Sequence, residues 1–286
     1  MLNQWNKESL NARISDRRSG QRFEAASPNE AEINAYAGAL PRRCSKDTAV
    51  VLGMTPELRL LAAKLFTKVF TVDYSRDAIQ IYSDWLAEPY RRREVIIHGH
   101  WFDLPKYVPH QVSVIFGDGV FGNLLNVEEH YILLKVVASV LSAKGCFITR
   151  KVLIPDGFTP QDDTAEKIIE RFRARQITEA EFGFDMRILG HYNCCYNAET
   201  FILDNKKLFE ECRQFLHSGK ITRQEFSIIR RYYFPGKNCI VPQSLWEKLL
   251  NEHSFKFVIQ QCCGKTWYRY YKIYQCIPVR CCDTVA

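Results

Sequence analysis

Residues able to bind a ligand stand directly after apolar, β-branched runs of this sequence. Gly53 follows the first run, and a glycine there lets the backbone turn tightly and approach a ligand. Asp73 follows the second run, roughly 20 residues later, where a carboxylate can accept both hydrogens of a ribose diol. Asp118 follows a later run between Gly117 and Gly119, and glycines this close together are costly in a plain connection. The pattern predicts a ligand site built on strand ends.

Aromatic side chains follow the third apolar run in the same way. Trp101 and Phe102 come shortly after a glycine, and we expect their rings to stack on an adenine ring, with His100 at its edge. Two structural alternatives stay open. The aromatic rings could belong to the core, and Asp73 with Ser75 could cap the helix that follows them.

The apolar runs alternate with stretches of helical periodicity, which is typical of βαβ units in a parallel sheet. The predicted strands span residues 48–52, 68–72, 94–98, 111–116 and 146–150. The predicted helices span residues 57–65, 76–86 and 127–141. The right-handed crossover rule then gives a doubly wound sheet, in which the carboxyl ends of the strands meet at one edge. Open sheets of this kind bind their ligands at that edge.

Four regions are predicted along the chain. Residues 1–46 are expected to be helical with breaks, including a helix with Ser27 as N-cap and Pro28 in its first turn. Residues 47–154 hold the alternating strands and helices. Residues 155–250 hold an amphipathic, basic helix at 163–176 and two or three more helices, including 205–216 and 222–233. We interpret this region as an insertion because its hydrophobic faces need the sheet.

The last region, residues 251–286, contains a hairpin signal and a tail. Two strand-like runs, 254–261 and 266–277, are joined by residues 263–265, which include a glycine. A hairpin at this place in the chain is expected to close the core sheet.

Composition places the chain among globular proteins. Of its 286 residues, 47% are apolar and 25% are charged, which argues against gross disorder. The net charge of +7 is compatible with an anionic ligand but is too modest for a dedicated nucleic-acid binder. No run resembles a membrane span or a signal peptide, so a cytoplasmic protein is expected. The eleven cysteines show no CxxC spacing, so no metal site is predicted and reduced thiols are expected.

Taken together, the strand ends resemble those of class I S-adenosylmethionine-dependent methyltransferases, most closely over residues 47–154. Residues 50–56 stand where that family has its glycine-rich first motif, with a single glycine as in a subset with a G-x-T-P loop. Residues 73–75 match the acidic second motif, and residues 117–119 match the motif of the fourth strand. Residues 99–101 stand where the family often has Gly-Asp-aromatic, with histidine in place of the acid.

The same resemblance extends to the end of the sheet. Residues 143–148 look like the family's turn into strand five, and the closing hairpin looks like strands six and seven. The resemblance therefore implies an α/β, Rossmann-like, doubly wound fold. Its seven-stranded sheet is mostly parallel with an antiparallel last strand, and helices cover both faces.

The resemblance also implies S-adenosylmethionine as the cofactor. The backbone of residues 53–55 would approach its methionine part, Asp73 would bind the ribose, and Asp118 with Gly119 would line the methyl-donor side. Trp5 and the N-terminal helices would form a lid. The implied cofactor-binding residues are Gly53, Met54, Thr55, Pro56, Asp73, Tyr74, Ser75, His100, Trp101, Phe102, Asp118 and Gly119.

The acceptor of the methyl group is expected to be a small molecule, bound between the N-terminal region and the insertion. A general base is needed only if the acceptor holds its proton, and the candidate bases are Asp118, His130 and His191. The insertion is rich in arginine and aromatic residues: Phe172, Phe182, Phe184, Arg187, His191, Tyr192, Tyr196, Arg230, Arg231, Tyr232, Tyr233 and Phe234. They fit a pocket for a planar or anionic molecule, and equally a helical subdomain with its own core.

Other functions remain as alternatives. A non-catalytic binding or regulatory protein on the same fold is compatible with the single glycine of the first motif. An aminopropyltransferase would need a G-G-G-D-G run that this chain lacks. An RNA methyltransferase would use the arginine and tyrosine side chains of residues 230–233 and 268–271 as a stacking surface, but no RNA-binding module accompanies them. We expect a monomer or homodimer without nucleic-acid or membrane partners.

Overall fold

The structure is a computed structural model that describes residues 24–42, 44–234 and 236–279. The lid expected around Trp5 lies outside these residues. The strands are Thr48–Leu52 (β1), Lys68–Asp73 (β2), Glu94–His98 (β3), Val112–Asp118 (β4), Leu141–Val152 (β5), Tyr196–Asn197 (β6), Ile202–Asp204 (β7), Lys237–Cys239 (β8), Phe255–Gln260 (β9) and Tyr271–Pro278 (β10).

Helices precede or connect most of these strands. The α-helices are Glu30–Gly38 (α1), Pro56–Leu65 (α2), Arg76–Tyr82 (α3), Leu104–Tyr107 (α4), Val127–Val140 (α5), Ala165–Arg173 (α6), Glu179–Asp185 (α7), Tyr192–Cys195 (α8), Asn205–His217 (α9), Arg223–Arg231 (α10) and Gln243–Glu252 (α11). A π-helical turn, Met186–Gly190, continues α7. None of the helices in the described ranges has the length and apolar character needed to cross a membrane.

The main sheet has seven strands in the order β3-β2-β1-β4-β5-β10-β9. The first five strands in this order pair in parallel, whereas β10 runs antiparallel to both β5 and β9. The order reverses between β1 and β4, so that the two halves of the sheet wind in opposite directions from this point. The predicted doubly wound sheet with an antiparallel last strand is therefore confirmed.

Alternate residues of the central strands pack on opposite faces of the sheet. On one face, Val50 of β1 and Phe147 of β5 pack in a cluster with Leu133 of α5 and Trp246 of α11. On the other face, Val51 and its strand neighbours pack in a cluster with residues of α1 and α2. Because both faces are buried, the strands carry continuous apolar runs, and these runs predicted the parallel sheet.

The N-terminal described helix begins later than predicted. Asn29, not Ser27, is the N-cap of α1, because its Oδ1 accepts from the backbone N–H of Glu32 at 2.9 Å. The Glu32 carboxylate in turn accepts from the Asn29 backbone N–H at 2.8 Å, which completes a capping box. This exchange satisfies two of the helix's free N–H groups, which Ser27 is too far from α1 to do.

The closing strands are connected differently from the prediction. β9 and β10 do pair as antiparallel neighbours, but the connection is not a tight turn at residues 263–265. Residues 261–270 join them and contain the 3₁₀ helix Thr266–Arg269. The indole of Trp267 is buried there, and its Nε1 donates to Glu32 at 3.2 Å. Burial of this ring explains why the connection folds inward.

The region predicted as a helical insertion also contains a small sheet. Its strands β6, β7 and β8 pair antiparallel, and each is only two or three residues long. Helices α6, α7, α9 and α10 pack in a cluster of their own, which also includes Trp267, Tyr270 and Tyr271 near β10. Helix α11, by contrast, packs with the main sheet.

A buried ionic cluster joins α1 to the end of the sheet; we call Glu32, Asp118, Arg150 and Tyr271 the Arg150 cluster. The Arg150 guanidinium lies 2.6 Å from Glu32 and 2.8 Å from Asp118, and all three side chains are buried. Tyr271 donates to Asp118 at 3.2 Å, and its ring lies 4.1 Å from the guanidinium carbon. One cation thus lies between two carboxylates from distant parts of the chain.

We expect Arg150→Met to lower the free energy of unfolding by about 3–5 kcal/mol, because it leaves two buried carboxylates without a cation. The matched control is Arg213→Met, since Arg213 is exposed and pairs loosely with Glu210 at 3.4 Å. Urea unfolding followed by circular dichroism measures both variants. Equal stability of the two variants would show that the Arg150 cluster does not hold α1 to the sheet.

Candidate functional site

A cleft opens at the carboxyl ends of β1, β2 and β4, where the strand order reverses. Its other walls come from residues 25–27, from residues 184–188 of α7 and the π turn, and from residues 238–240 at the end of β8. Open α/β sheets bind ligands at such a switch point. The predicted residues that line the cleft are Gly53, Met54, Thr55, Pro56, Asp73, Tyr74, Trp101, Asp118 and Gly119.

Gly53 forms the turn between β1 and α2. Its φ of +90° lies in the left-handed region that favours glycine, and its N–H donates to the Val72 carbonyl at 2.8 Å. A side chain at this position would begin 3.8 Å from the Asp73 Oδ2 and 4.0 Å from the Trp101 ring. The missing Cβ therefore keeps open the space between the backbone, the carboxylate and the indole.

Asp73 ends β2 with its side chain buried at the cleft. Its Oδ1 accepts from the backbone N–H of Ser75 at 2.7 Å. Burial raises the pKa of the Asp73 carboxyl to about 6, although backbone N–H groups of Ser75, Met54 and Tyr74 act in the opposite direction. The carboxylate is thus ionised at neutral pH, but burial deprives its charge of water. Hydroxyl donors from a ligand would therefore stabilise the ionised form.

Trp101 is held rigidly beside Asp73. Its indole Nε1 donates to the Val72 carbonyl at 2.9 Å, and its ring meets Tyr74 edge-on at 5.4 Å between centroids. Ala78 and Tyr82 of α3 line the same part of the cleft. Together these side chains form an apolar, aromatic wall next to a carboxylate, which suits a nucleoside.

Asp118 lines the cleft but is already engaged. It accepts hydrogen bonds from Arg150 Nε at 2.8 Å, from Arg150 Nη2 at 3.2 Å and from Tyr271 at 3.2 Å. Gly119 follows with a φ of +62°, and a Cβ there would lie 3.1 Å from the Tyr271 hydroxyl. Asp118 therefore supplies negative charge to the cleft wall while its oxygens stay fixed by the Arg150 cluster.

Sequence comparison finds no relative: no protein-family model matches the chain, and neither does any curated protein. Solved structures are similar in fold. One is a chain of the complex between the Haloferax volcanii Trm112 methyltransferase activator and the putative methyltransferase, at 11% identity and a TM-score of 0.51, covering 96% of this chain and 98% of that one.

Two further structures are similar at comparable identity. The PH0226 protein from Pyrococcus horikoshii OT3 is 15% identical with a TM-score of 0.51, covering 86% of this chain and 90% of that one. A putative Zn-dependent alcohol dehydrogenase from Rhodobacter sphaeroides is 16% identical with a TM-score of 0.57, covering 96% of this chain and 99% of that one. Likeness at these identities shows the fold and no activity.

The strand order with its antiparallel β10 and the likeness to these structures together indicate the fold. This chain has the class I methyltransferase fold. Within that fold, the turn after β1, the acid ending β2 and the loop after β4 surround one cleft, as the sequence motifs predicted.

Three predicted residues of the methyltransferase fold lie outside the cleft lining. Ser75 caps α3, since its Oγ accepts from the Ala78 N–H at 3.2 Å. His100 accepts from the Phe102 backbone N–H at 3.2 Å, and the ring of Phe102 packs against the core and against His100 at 4.4 Å. Of the predicted adenine contacts, the structure brings only Trp101 to the cleft.

The histidines considered as bases also lie away from the cleft. His130 is fully buried in the core, where its Nδ1 donates to the Asn126 carbonyl at 2.8 Å and its Nε2 accepts from Lys151 at 2.8 Å. Burial lowers the pKa of His130 well below its ordinary value, and the neighbouring Lys151 adds to this. His191 lines a separate pocket formed by α6, α8 and α9.

Sequence reasoning missed several residues of the site. Asn238 and Tyr271 line the cleft. Arg150 pairs with Asp118 and is itself paired with Glu32. A signal for Arg150 was present, because a charged residue inside an otherwise apolar strand has to be paired if it is buried. Its partners are far away in sequence, so that signal does not identify them.

One group of possible metal ligands occurs among the described residues. The ligand atoms of His191, Cys194 and Glu211 lie within 4.8 Å of one another. None of them lines the cleft. Two of the three, His191 and Cys194, line the separate pocket formed by α6, α8 and α9.

The buried Lys151 gives the fold a testable pH dependence. Burial lowers the pKa of Lys151 to about 7, whereas in the unfolded chain it titrates near about 10.4. Between these pH values the unfolded state binds more protons, so the folded state gains stability as the pH rises from 7 to 10. We expect Lys151→Met to remove this gain, as measured by urea unfolding at several pH values. Parallel pH profiles for the variant and the wild type would contradict the depressed pKa.

Proposed function

We propose that this chain is an S-adenosylmethionine-dependent methyltransferase that acts on a small-molecule acceptor. The observation that carries the proposal is the buried Asp73 carboxylate, which ends β2 beside the open turn at Gly53 and the fixed indole of Trp101. A carboxylate there matches the ribose-binding position of nucleotide sites at the switch point of such sheets. The apolar side chains around it match the needs of a purine ring.

The residues of the cleft fit the cofactor in character. Gly53 leaves its backbone approachable, Asp73 offers acceptors for two hydroxyl groups, and Trp101 with Tyr82 offers an apolar wall. Asp118 and Glu32 together exceed Arg150 by one negative charge, which favours a cationic group in the adjoining space. S-adenosylmethionine supplies a methyl group on a positively charged sulfur, already activated for displacement.

The chain's own residues then orient the reactants and exclude water, which is most of what such a displacement needs. No histidine is present among the described residues that line the cleft. Burial raises the pKa of Tyr271 above its ordinary value, so this hydroxyl remains protonated at neutral pH. Asp118 is engaged by Arg150. These observations favour an acceptor whose reacting atom is already free of its proton.

The small-molecule acceptor is favoured over RNA by the burial of the tyrosines. Of the five tyrosines in residues 230–233 and 268–271, Tyr232, Tyr270 and Tyr271 are less than a tenth exposed, so at most two rings could stack on a base. Binding of single-stranded RNA relies on such accessible rings.

We expect wild-type protein to bind S-adenosylmethionine with a micromolar Kd and Asp73→Asn to bind it about tenfold more weakly or worse, since the amide replaces one ribose acceptor by a donor. Isothermal titration measures both. Asp77→Asn is the matched control, because Asp77 lies in the first turn of α3 and outside the cleft lining. Asp73→Asn is expected to fold with unchanged or higher stability, because it removes a buried charge.

Absence of binding by folded wild-type protein would overturn the proposal and favour the non-catalytic alternative. Equal binding by wild type and Asp73→Asn would instead reject the ribose contact alone.

The pKa of Asp73 near 6 also predicts how binding varies with pH. The ionised carboxylate is the form that accepts both ribose hydroxyls, and at pH 5 only about a tenth of it remains. We therefore expect the Kd to rise about tenfold between pH 7 and pH 5 in wild-type protein and to stay nearly constant in Asp73→Asn. Titration calorimetry at four pH values tests this. Parallel profiles in the two proteins would assign the pH dependence to another group.

A further inference from the structure

Arg187 lies on the wall of the cleft that the insertion contributes. It belongs to the π-helical turn Met186–Gly190, in which Met186, Ile188 and Leu189 are buried. Arg187 itself keeps part of its surface accessible and lines the cleft together with Phe184 and Tyr271. A single π-helical turn continuing an α-helix is frequent at functional sites, because it redirects a side chain.

The guanidinium of Arg187 is held by neutral groups only. Its Nη2 donates to Asn238 Oδ1 at 2.8 Å, and its Nε lies 3.4 Å from Asn205 Oδ1. No carboxylate among the described residues pairs with it, and its Nη1 makes no hydrogen bond to any of them. By contrast, Arg59 and Arg150 lie 2.6 Å from the carboxylates of Glu94 and Glu32.

The asparagines that hold Arg187 are themselves fixed. Asn238 Nδ2 donates to the Gly122 carbonyl at 2.8 Å, in the loop after β4. Asn205 Nδ2 donates to Asn238 Oδ1 at 2.9 Å and to the Gly236 carbonyl at 2.7 Å. The guanidinium is thus pre-positioned on the wall without being neutralised there. Burial lowers the pKa of Arg187 to about 10, which still leaves it charged at neutral pH.

A cation in this position is costly unless an anion joins it. Neither acid of the cleft pairs with it: Asp118 pairs with Arg150, and Asp73 Oδ1 accepts from the Ser75 backbone N–H. Beside Arg187, the rings of Phe184 and Tyr271 stack at 5.6 Å between centroids with 20° between their planes. Both rings are buried and cover each other, so the accessible feature of this wall is the positive charge that no carboxylate neutralises.

We propose that the methyl acceptor carries an anionic group, a carboxylate or a phosphate, that binds the guanidinium of Arg187. That the bound anion is a methyl acceptor rests on the proposed methyltransferase function. The anion site itself does not depend on it.

The test compares Arg187→Met and Arg187→Lys with Arg213→Met, which changes an exposed arginine outside the cleft. Arg187→Met is expected to fold, because Asn238 Oδ1 keeps its bond from Asn205 and a buried charge disappears. The probes are benzoate and phenyl phosphate, with benzamide as the neutral counterpart. Each is titrated calorimetrically into protein with and without saturating S-adenosylhomocysteine.

We expect at least one anionic probe to bind wild type and Arg213→Met more tightly than benzamide does. The same probe should bind Arg187→Met about tenfold more weakly, or worse, than it binds wild type, since a hydrogen bond to a charged group contributes this much. Arg187→Lys should fall between them, because it keeps the charge without the planar fork. Equal binding of both anions and benzamide, or equal binding to wild type and Arg187→Met, overturns the proposal.

The cofactor's own carboxylate is the competing source of an anion. If Arg187→Met loses affinity for S-adenosylmethionine, and no anion binds wild type once S-adenosylhomocysteine is present, the acceptor assignment is wrong. If wild type binds neither cofactor form, the proposed function fails, and the titrations without S-adenosylhomocysteine still decide whether Arg187 is an anion site.

Discussion

The burial of one arginine between two carboxylates constrains the rest of this structure. Arg150 lies inside β5, Glu32 comes from α1 and Asp118 ends β4, so three separate parts of the chain must converge for the charge to be tolerated. Removing Arg150 would leave two buried carboxylates without a cation, which costs far more than an exposed ion pair contributes. The cluster therefore fixes α1 over the edge of the sheet, and with it residues 25–27 as a wall of the cleft.

Arg150 and Lys151 are adjacent in β5 but lie in different environments, because strand side chains alternate between the faces of a sheet. Arg150 faces the carboxylates beside the cleft. Lys151 points to the other face, where it donates to the neutral His130 and lies 4.9 Å from the Trp246 ring. On the cleft side the carboxylates keep Arg150 charged, whereas on the core side burial favours the neutral form of Lys151.

The alternation of apolar runs and helical stretches predicted the parallel strands closely, and β1 and β3 have the bounds that the sequence indicated. Strand ends are predictable because parallel order alone places Gly53, Asp73 and Asp118 at one edge. Helix caps, short strands and side-chain pairings were harder to predict from the sequence. Strands of two or three residues, such as β6, are too short for a period-2 pattern, and the partners of Arg150 and Arg187 depend on contacts between segments distant in sequence.

The cleft carries negative charge in one part and positive charge in another, which bears on how the proposed reactants bind. One wall carries Asp73 and the net negative Arg150 cluster, while the insertion wall carries the uncompensated guanidinium of Arg187. A positively charged donor and a negatively charged acceptor are each attracted to a different wall, and each is repelled from the other's. In a methyl transfer the protein mainly has to hold two reactants in one orientation. Opposite charges at two places in the cleft favour one orientation of the proposed reactants before the reacting atoms meet.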